Sequence, residues 1–335
     1  MRAIVLVGGF GTRLRPLTLD VPKQMLPVVH ITMLERVVAA LGRNGITEAV
    51  LSLGYRPDVF LEAYPDGTCA GVKLHYAVEP EPLDTAGAIR FAARHAGIDS
   101  TFVVVNGDVI NDFDLQSLVD FHRRVGAEAT IHLTPVDDPS RYGVVPTDAN
   151  GRVLGFIEKP PRDEAPTNWI NAGTYVLEPA VLDRIPEGRK VSVERETFPA
   201  IVESGGLYAL QDGCYWVDAG TFATYLGVQL DLIDGRRGPA EEGVHPTADV
   251  HPTAVVERSV IGAGAVVGAG AVVIGSAVLP NVEIGAGARI EGSIVADGSV
   301  IGEGAKLVNL TVVGRNQHIP SRAVLDDVRV PEPEA

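Results

Sequence analysis

From residue 244 onward the chain repeats itself, and the repeat leaves few architectures open. VHPTAD at 244 is followed by VHPTAV at 250, IGAGAV at 261, VGAGAV at 267, IGAGAR at 284 and IGEGAK at 301. A branched aliphatic residue returns at roughly every sixth position, with small residues between. Six-residue faces that each turn one aliphatic inward close into a triangular parallel β-helix of about 18 residues per coil, with glycine and alanine at the tight corners. Residues 244–330 would supply about four to five coils. The register slips near Val256, Leu279 and Ala296, so the coils are not uniform. His245 and His251 recur with the repeat and are expected to cap the end of the helix.

Residues 1–231 follow another rhythm. Apolar or alternating runs at 3–7, 48–53, 73–77 and 102–105 read as strands, and amphipathic stretches at 33–41, 85–96 and 115–125 as helices. That alternation predicts a mostly parallel sheet covered on both faces. Further strands are expected at 129–134, 153–158, 173–176 and 206–210. The texture changes at GRRGP, 235–239. The fold class is therefore α/β: a Rossmann-like, mixed and mostly parallel sheet over 1–235, then the β-helix over 244–330. Ligands of such sheets bind at the carboxyl ends of strands. The loops 8–13, 106–108 and 158–159 are expected there.

The first of these loops carries the most chemistry. Residues 8–27 read GGFGTRLRPLTLDVPKQMLP directly behind the strand that ends at Val7. Gly8, Gly9 and Gly11 let backbone N–H groups turn toward an anion, while Thr12, Arg13, Arg15 and Lys23 follow with hydroxyl and cation. Leu14 occupies the place of the third glycine of a dinucleotide fingerprint, and no Gly-Lys-Ser/Thr closes the loop, so neither the dinucleotide nor the Walker pattern applies. The pattern reads as a triphosphate site.

Charge and cysteine usage narrow the partners. Net charge is −15, which argues against nucleic acid and anionic membrane. Arg2, Arg13, Arg15 and Lys23 nevertheless face only Asp20 within the first thirty residues, a local basic mouth suited to small anionic substrates. The two cysteines, Cys69 and Cys214, have no CxxC spacing and read as buried thiols in a reducing, cytoplasmic compartment. No signal peptide or membrane span is read, and the eight histidines show no metal-ligand spacing.

The 8–27 string resembles the signature of the sugar-nucleotide pyrophosphorylases, which join a nucleoside triphosphate to a sugar 1-phosphate and release pyrophosphate. The resemblance covers nearly the whole chain, and the repeat is similar to the left-handed β-helix of hexapeptide-repeat proteins. VVVNGDV at 103–109 resembles the family's metal segment, which implies Mg²⁺ on Asp108 with Gly107 at the nucleotide. YWVDAGT at 215–221 matches the place of the second metal carboxylate and implies that role for Asp218. FIEKP at 156–160 implies Lys159 on the sugar phosphate and Glu158 on sugar hydroxyls, and INAGTYV implies Asn171 on the sugar. EPLDTAG at 81–87 resembles the loop that touches the base, here through Glu81 and Gly87, but Asp84 stands where glycine is usual. Val7, Gly8, Gly9, Gly11 and Thr12 complete the implied nucleotide set. Arg13 is assigned to the leaving pyrophosphate and Lys23 to phosphates near the reacting centre.

Within the family, INAGTYVLEP and the stretch from Arg184, RIPEGRKVSVERETFPAIVESGG, look closest to bacterial mannose-1-phosphate guanylyltransferases, which implies GTP and mannose 1-phosphate as substrates. Glucose, cyclitol or heptose 1-phosphate with another nucleotide is the alternative. Hexapeptide repeats also build acyl-CoA sites, but beyond His245 and His251 only His318 could serve as a base there. The exposed aliphatic corners of the repeat predict a homo-oligomer.

Overall fold

The computed structural model describes residues 1–332. By its internal contacts the chain divides into two compact units, one of residues 1–9 and 34–216, the other of residues 10–33 and 217–335. This division differs from the change of sequence texture at 235–244, because the stretch 10–33 and the helix Phe222–Ile233 go with the repeat.

The first unit is built on a ten-stranded mixed sheet. Arg2–Leu6 lies at its centre, parallel to Glu48–Leu53 on one side and to Phe102–Asn106 on the other, and Val72–Val78 continues the parallel run. Arg2–Leu6, Glu48–Leu53 and Phe102–Asn106 are buried continuously rather than alternately because both faces are covered, whereas Val72–Val78 starts with buried and exposed residues in alternation. Ile4, Val50, Phe102 and Val104 are all buried to exclusion of solvent. Helix Met33–Arg43 turns Leu34, Val37, Val38 and Leu41 inward, the spacing of one helical face. Leu115–Val125 is capped by Asp114, which accepts from Gln116 N at 3.0 Å, and ends at Gly126 with φ 63°.

Beyond Phe102–Asn106 the sheet turns antiparallel. Trp169–Leu177 pairs with it through Thr174 opposite Val105, and with Ala129–Pro135 on its other side; Leu207–Gln211 lies parallel to the latter. A register shift between Asn171 and Tyr175 has a local cause. Gly173 sits at φ 77°, and a Cβ there would fall 2.5 Å from the Asn106 side-chain nitrogen. Only glycine brings these two strand ends so close.

Three expectations need correction here. The stretch 153–158 is not one strand: Val153 makes an isolated bridge to Thr147, and only Ile157–Glu158 pairs, with Gly143–Val144. The intervening residues 154–156 make no ladder, and Leu154 there is exposed. Arg2 does not join a basic mouth. It opens the central strand, in register with Glu48, so it lies at the edge opposite the glycine loop, and its guanidinium donates to Ala96 O at 2.6 Å. Cys69 is buried as expected, but Cys214 is only partly so.

In the second unit the repeat forms three parallel sheets of five strands each, the triangular arrangement of a left-handed β-helix. Ile261, Val267, Val273, Val278, Ile284 and Ile290 point inward in succession and are buried. Each such side chain contributes about 1.5–3 kcal/mol relative to exposure.

Most coils are one residue shorter than the expected 18. Val255 stacks on Val272 and Val272 on Arg289, steps of 17. The missing residue comes from one corner, where Arg258, Gly275 and Gly292 adopt φ between 44° and 56°. The buried serine after each closes the corner. Ser276 Oγ donates to Ile274 O at 2.8 Å and accepts from Ser293 N at 3.1 Å, and Ser259 and Ser276 repeat the pattern one coil earlier. At the fourth coil Asn309 and Leu310 both take left-handed backbone, and Lys306 stacks on Val324, a step of 18. The register slips in the sequence are this short corner. His245 and His251 open the first coil and close local turns, each ring accepting from a threonine N–H two residues on at 3.2 Å.

Candidate active site

In the first unit the glycine loop leaves the central strand at its carboxyl end. Val7 N still donates to Ser52 O at 3.2 Å, after which Gly8 and Gly9 break the ladder. Gly8 approaches Gly54 so closely that a Cβ on Gly54 would lie 3.0 Å from Gly8 O. Gly107 N donates to Leu6 O at 3.0 Å, tying the turn that presents Asp108 to the strand that carries the glycines. Val7, Gly8, Gly9, Gly107 and Asp108 thus gather at one end of neighbouring strands.

Glu158 and Lys159 reach the same unit by another route than expected. Their strand is a two-residue antiparallel edge, with Glu158 opposite Gly143 and Val144 opposite Ile170. That register brings Glu158 to the start of Trp169–Leu177, where Asn171 lies. Lys159 adopts φ 51°, and its ammonium sits 2.8 Å from Glu158 Oε1. Left-handed backbone in a non-glycine residue costs about 1–2 kcal/mol. Asn171 is held on both faces of its amide: Oδ1 accepts from Gly173 N at 3.0 Å, and Nδ2 donates to Tyr175 Oη at 2.9 Å. Burial raises the Tyr175 phenol well above its ordinary value, and the carboxylates of Glu194, Glu158 and Asp108 push the same way.

The loop 81–87 shows what Asp84 does. Its backbone takes φ 62°, the conformation a glycine would supply, and its carboxylate turns back to accept from Thr85 N at 2.7 Å. Aspartate tolerates this region because its side chain bonds locally. Gly87 is required by packing, since a Cβ would lie 2.8 Å from Leu83 Cβ. Exposed Glu81, half-buried Leu83 and buried Gly87 line a cleft of about 490 Å³ together with Arg90, Phe91 and Arg189.

Two acidic residues that the motifs did not single out organise this region. Glu79 accepts from Ser52 Oγ at 2.9 Å and from Leu83 N at 3.2 Å, and burial raises its carboxyl above the usual range. Its Oε1 is 3.4 Å from where a Cβ on Gly8 would stand. Glu194 accepts from Thr85 Oγ1 and Ser192 Oγ, both at 2.9 Å. Glu79 was detectable as a carboxylate directly after a strand; Glu194 left no signal.

The second unit assembles the other half of the motifs. Gly11, at φ 63°, is packed so that a Cβ would meet Lys23 Cβ and Thr18 Cγ2 at 3.2 Å. Thr18 Oγ1 donates to Gly11 O at 2.8 Å, and a short turn over Thr12–Leu14 presents Arg13 to solvent. Lys23 is buried, 7% exposed. Behind it, Val29 N donates to Gln229 Oε1 and Tyr225 Oη donates to Pro27 O, fixing the segment to helix Phe222–Ile233. Thr221 and Thr224 cap that helix reciprocally. Directly before the cap stand Asp218 and Gly220. Arg13 Nη2 lies 3.9 Å from Asp218 Oδ2. A Cβ on Gly220 would fall 2.7 Å from Asp218 Oδ1 and 2.8 Å from Arg13 Nη2. The YWVDAGT motif spans the unit boundary: Trp216 belongs to the first unit, where its indole donates to Ala172 O at 2.9 Å.

The nucleotidyl transferase family model matches residues 2–235, and the GMPPB C-terminal domain model matches 240–334. The chain is 45% identical over 235 residues to mannose-1-phosphate guanylyltransferase of Mycobacterium tuberculosis, covering 70% of this chain and 65% of that protein. It is 47% identical over 226 residues to mannose-1-phosphate guanyltransferase of Emericella nidulans, covering 66% and 61%. The chain thus spans somewhat less than two thirds of these relatives. Among solved structures, HddC from Yersinia pseudotuberculosis superposes with a TM-score of 0.60 at 29% identity over 68% of this chain and 97% of that one. HddC complexed with GMP-PN superposes at 0.59. Among the described residues no helix is long and apolar enough to cross a membrane.

Proposed function

The chain belongs to the nucleotidyl transferase family, and on that premise we propose that it transfers the guanylyl group of GTP to mannose 1-phosphate, giving GDP-mannose and pyrophosphate. The names of the relatives above support the substrates. The single observation that carries the reaction is the meeting of Arg13 and Asp218 over Gly220, which joins the glycine loop to a carboxylate far along the chain. A basic group beside a carboxylate, with no Cβ between, suits a polyanion accompanied by a cation.

The sugar phosphate oxygen attacks the α-phosphorus in line. Two polyanions must be brought together, so positioning and charge stabilisation dominate and no general base is needed. In this reading the amides of Gly8, Gly9 and Gly11, with Val7, Thr12 and Gly107, line the nucleotide, and Glu81 and Gly87 border the base. Arg13 holds the departing pyrophosphate. Lys23 holds phosphate near the reacting centre, and Lys159 orients the attacking phosphate. Glu158 and Asn171 receive the sugar hydroxyls. The carboxylates of Asp108 and of Asp218 are hard oxygen donors of the kind Mg²⁺ takes, and such an ion would supply charge neutralisation for the phosphates. Residues 1–235 act as the catalytic domain and 244–330 as the β-helix domain. The exposed Val255, Val266 and Val324 on the helix support self-association into a homo-oligomer, and the scarcity of cysteine supports a cytoplasmic setting.

The test is pyrophosphate release across four nucleoside triphosphates and mannose, glucose and heptose 1-phosphates, with and without Mg²⁺. The expected result is Mg²⁺-dependent turnover highest with GTP and mannose 1-phosphate. Lys23→Ala and Asp108→Ala should each cost about 100-fold or more in kcat, the scale of losing one preorganised group. Preference for another pair would overturn the substrates, and parental turnover in either variant would overturn the assigned roles.

A further inference from the structure

One cluster of chemically versatile side chains lies outside every residue assigned to the reaction. His132 is in the middle of Ala129–Pro135 and wholly buried, yet neither ring nitrogen has a hydrogen-bond partner. Phe113 stacks on the ring at 3.6 Å between centroids and 11° between planes, fixing its plane. One of the ring's nitrogens lies beside the loop after Leu207–Gln211. There the carboxylate of Asp212 and the sulfur of Cys214 lie with a His132 nitrogen within 4.8 Å of one another. Two buried nitrogens with nothing to bond are costly, of the order of 1–3 kcal/mol each, so the arrangement calls for an explanation.

We propose that His132, Asp212 and Cys214 form a binding site for a borderline-soft divalent cation of the zinc class. Imidazole, carboxylate and thiolate together are a zinc-type donor set and a poor magnesium one. The loop is already shaped for it. Asp212 N donates to Leu133 O at 3.0 Å, Cys214 N donates to Asp212 Oδ1 at 2.7 Å, and Asp112 N donates to Tyr215 O at 3.1 Å. Ligand atoms around tetrahedral zinc stand roughly 3.3–3.8 Å apart, given bonds of about 2.0–2.3 Å, so closure needs a contraction of ~1 Å. Gly213, with open space around its Cβ position, gives the loop that freedom. Burial, and after it the carboxylates of Asp212 and Asp112, push the Cys214 thiol up to about 12, so the thiol stays protonated until a cation displaces the proton, and the same carboxylates make a field that favours that cation. Burial lowers His132 to about 4, so its imidazole is neutral and a lone pair is available at neutral pH. On binding, the Cys214 thiol gives its proton to solvent and the sulfur becomes the third ligand; water can complete the shell from the half-buried side. The ion would clamp the 212–215 loop to the sheet.

The test is titration of the chelator-treated full chain with Co²⁺, whose thiolate charge-transfer band reports sulfur ligation without reference to turnover. A band saturating at one equivalent, bleached by Zn²⁺ but not by excess Mg²⁺, is expected. It should persist in Cys69→Ser and vanish in Cys214→Ser. In the unmodified chain, Zn²⁺ should also protect Cys214 from a thiol-labelling reagent, a readout that needs no variant to fold. Absence of the band, its survival in Cys214→Ser, or unprotected labelling of Cys214 would each overturn the proposal.

Discussion

Replacing Gly220 with alanine isolates the Arg13–Asp218 meeting from every other feature of the site. The new methyl would stand 2.7 Å from Asp218 Oδ1 and 2.8 Å from Arg13 Nη2. Carbon rarely approaches such atoms closer than about 3.2 Å, so carboxylate and guanidinium must each retreat by ~0.5 Å. Misplacing a catalytic group by about 1 Å can cost 100-fold, so about half that displacement of two groups together predicts a fall in kcat/KM of roughly 10- to 100-fold. In transition-state free energy this is ~1.4–2.7 kcal/mol. Stability should hardly change, because Gly220 is not among the glycines at positive φ. Gly227 in helix Phe222–Ile233 is the control: its Cβ would meet nothing, and alanine there should add about 0.5–1 kcal/mol without touching activity. The assay is pyrophosphate release from GTP and mannose 1-phosphate, paired with urea unfolding. Parental kcat/KM in a folded Gly220→Ala protein would refute the claim that these two side chains act together at the reaction.

The remaining predictions concern how the site and the repeat are supported. Gly173→Ala must strain a backbone at φ 77° and push its methyl to 2.5 Å from the Asn106 amide, so we expect about 2 kcal/mol or more of destabilisation by urea titration. Glu79→Ala removes the acceptor of Leu83 N and Ser52 Oγ and should raise KM for the nucleotide; Glu79→Gln keeps an acceptor and should restore it, as steady-state kinetics will show. Ser276→Ala leaves Ser293 N without its acceptor inside the helix, while Ile274 O keeps its bond from Gly292 N, a loss of about 1–3 kcal/mol measurable in the unfolding midpoint. Asp84→Gly exchanges a local hydrogen bond for relief at φ 62°, so base preference across the four nucleotides should stay within about tenfold of the parent.

Much of this was legible because local pattern and global fold agree. The run 3–7 and its glycine loop read directly as a strand and its exit, and the hexad read as a triangular prism. What escaped reading depends on distance along the chain or on register. Arg2 looked like part of a basic cluster because it is near Arg13 in sequence, but a strand's length separates the two ends of Arg2–Leu6. The 17-residue step was hidden because one corner sheds a residue while the aliphatic spacing barely changes. Asp84 stood out as a departure from the usual glycine; its φ shows the backbone of a glycine retained under another side chain. His132, Asp212 and Cys214 carry no spacing signal because two adjacent strands, not one motif, bring them together.

Among the described residues the three ladders of the prism finish at His318–Ile319, Val324–Asp326 and Arg329–Val330. An open rung is an invitation for another molecule to continue the stack. The last described rungs carry the charges of Asp326 and Asp327, and Pro331, which has no N–H to offer, follows Arg329–Val330. Charge and a missing donor disfavour pairing of these rungs with a further strand, whereas a truncation exposing an inner coil such as 295–301 would present apolar rungs that lack both safeguards.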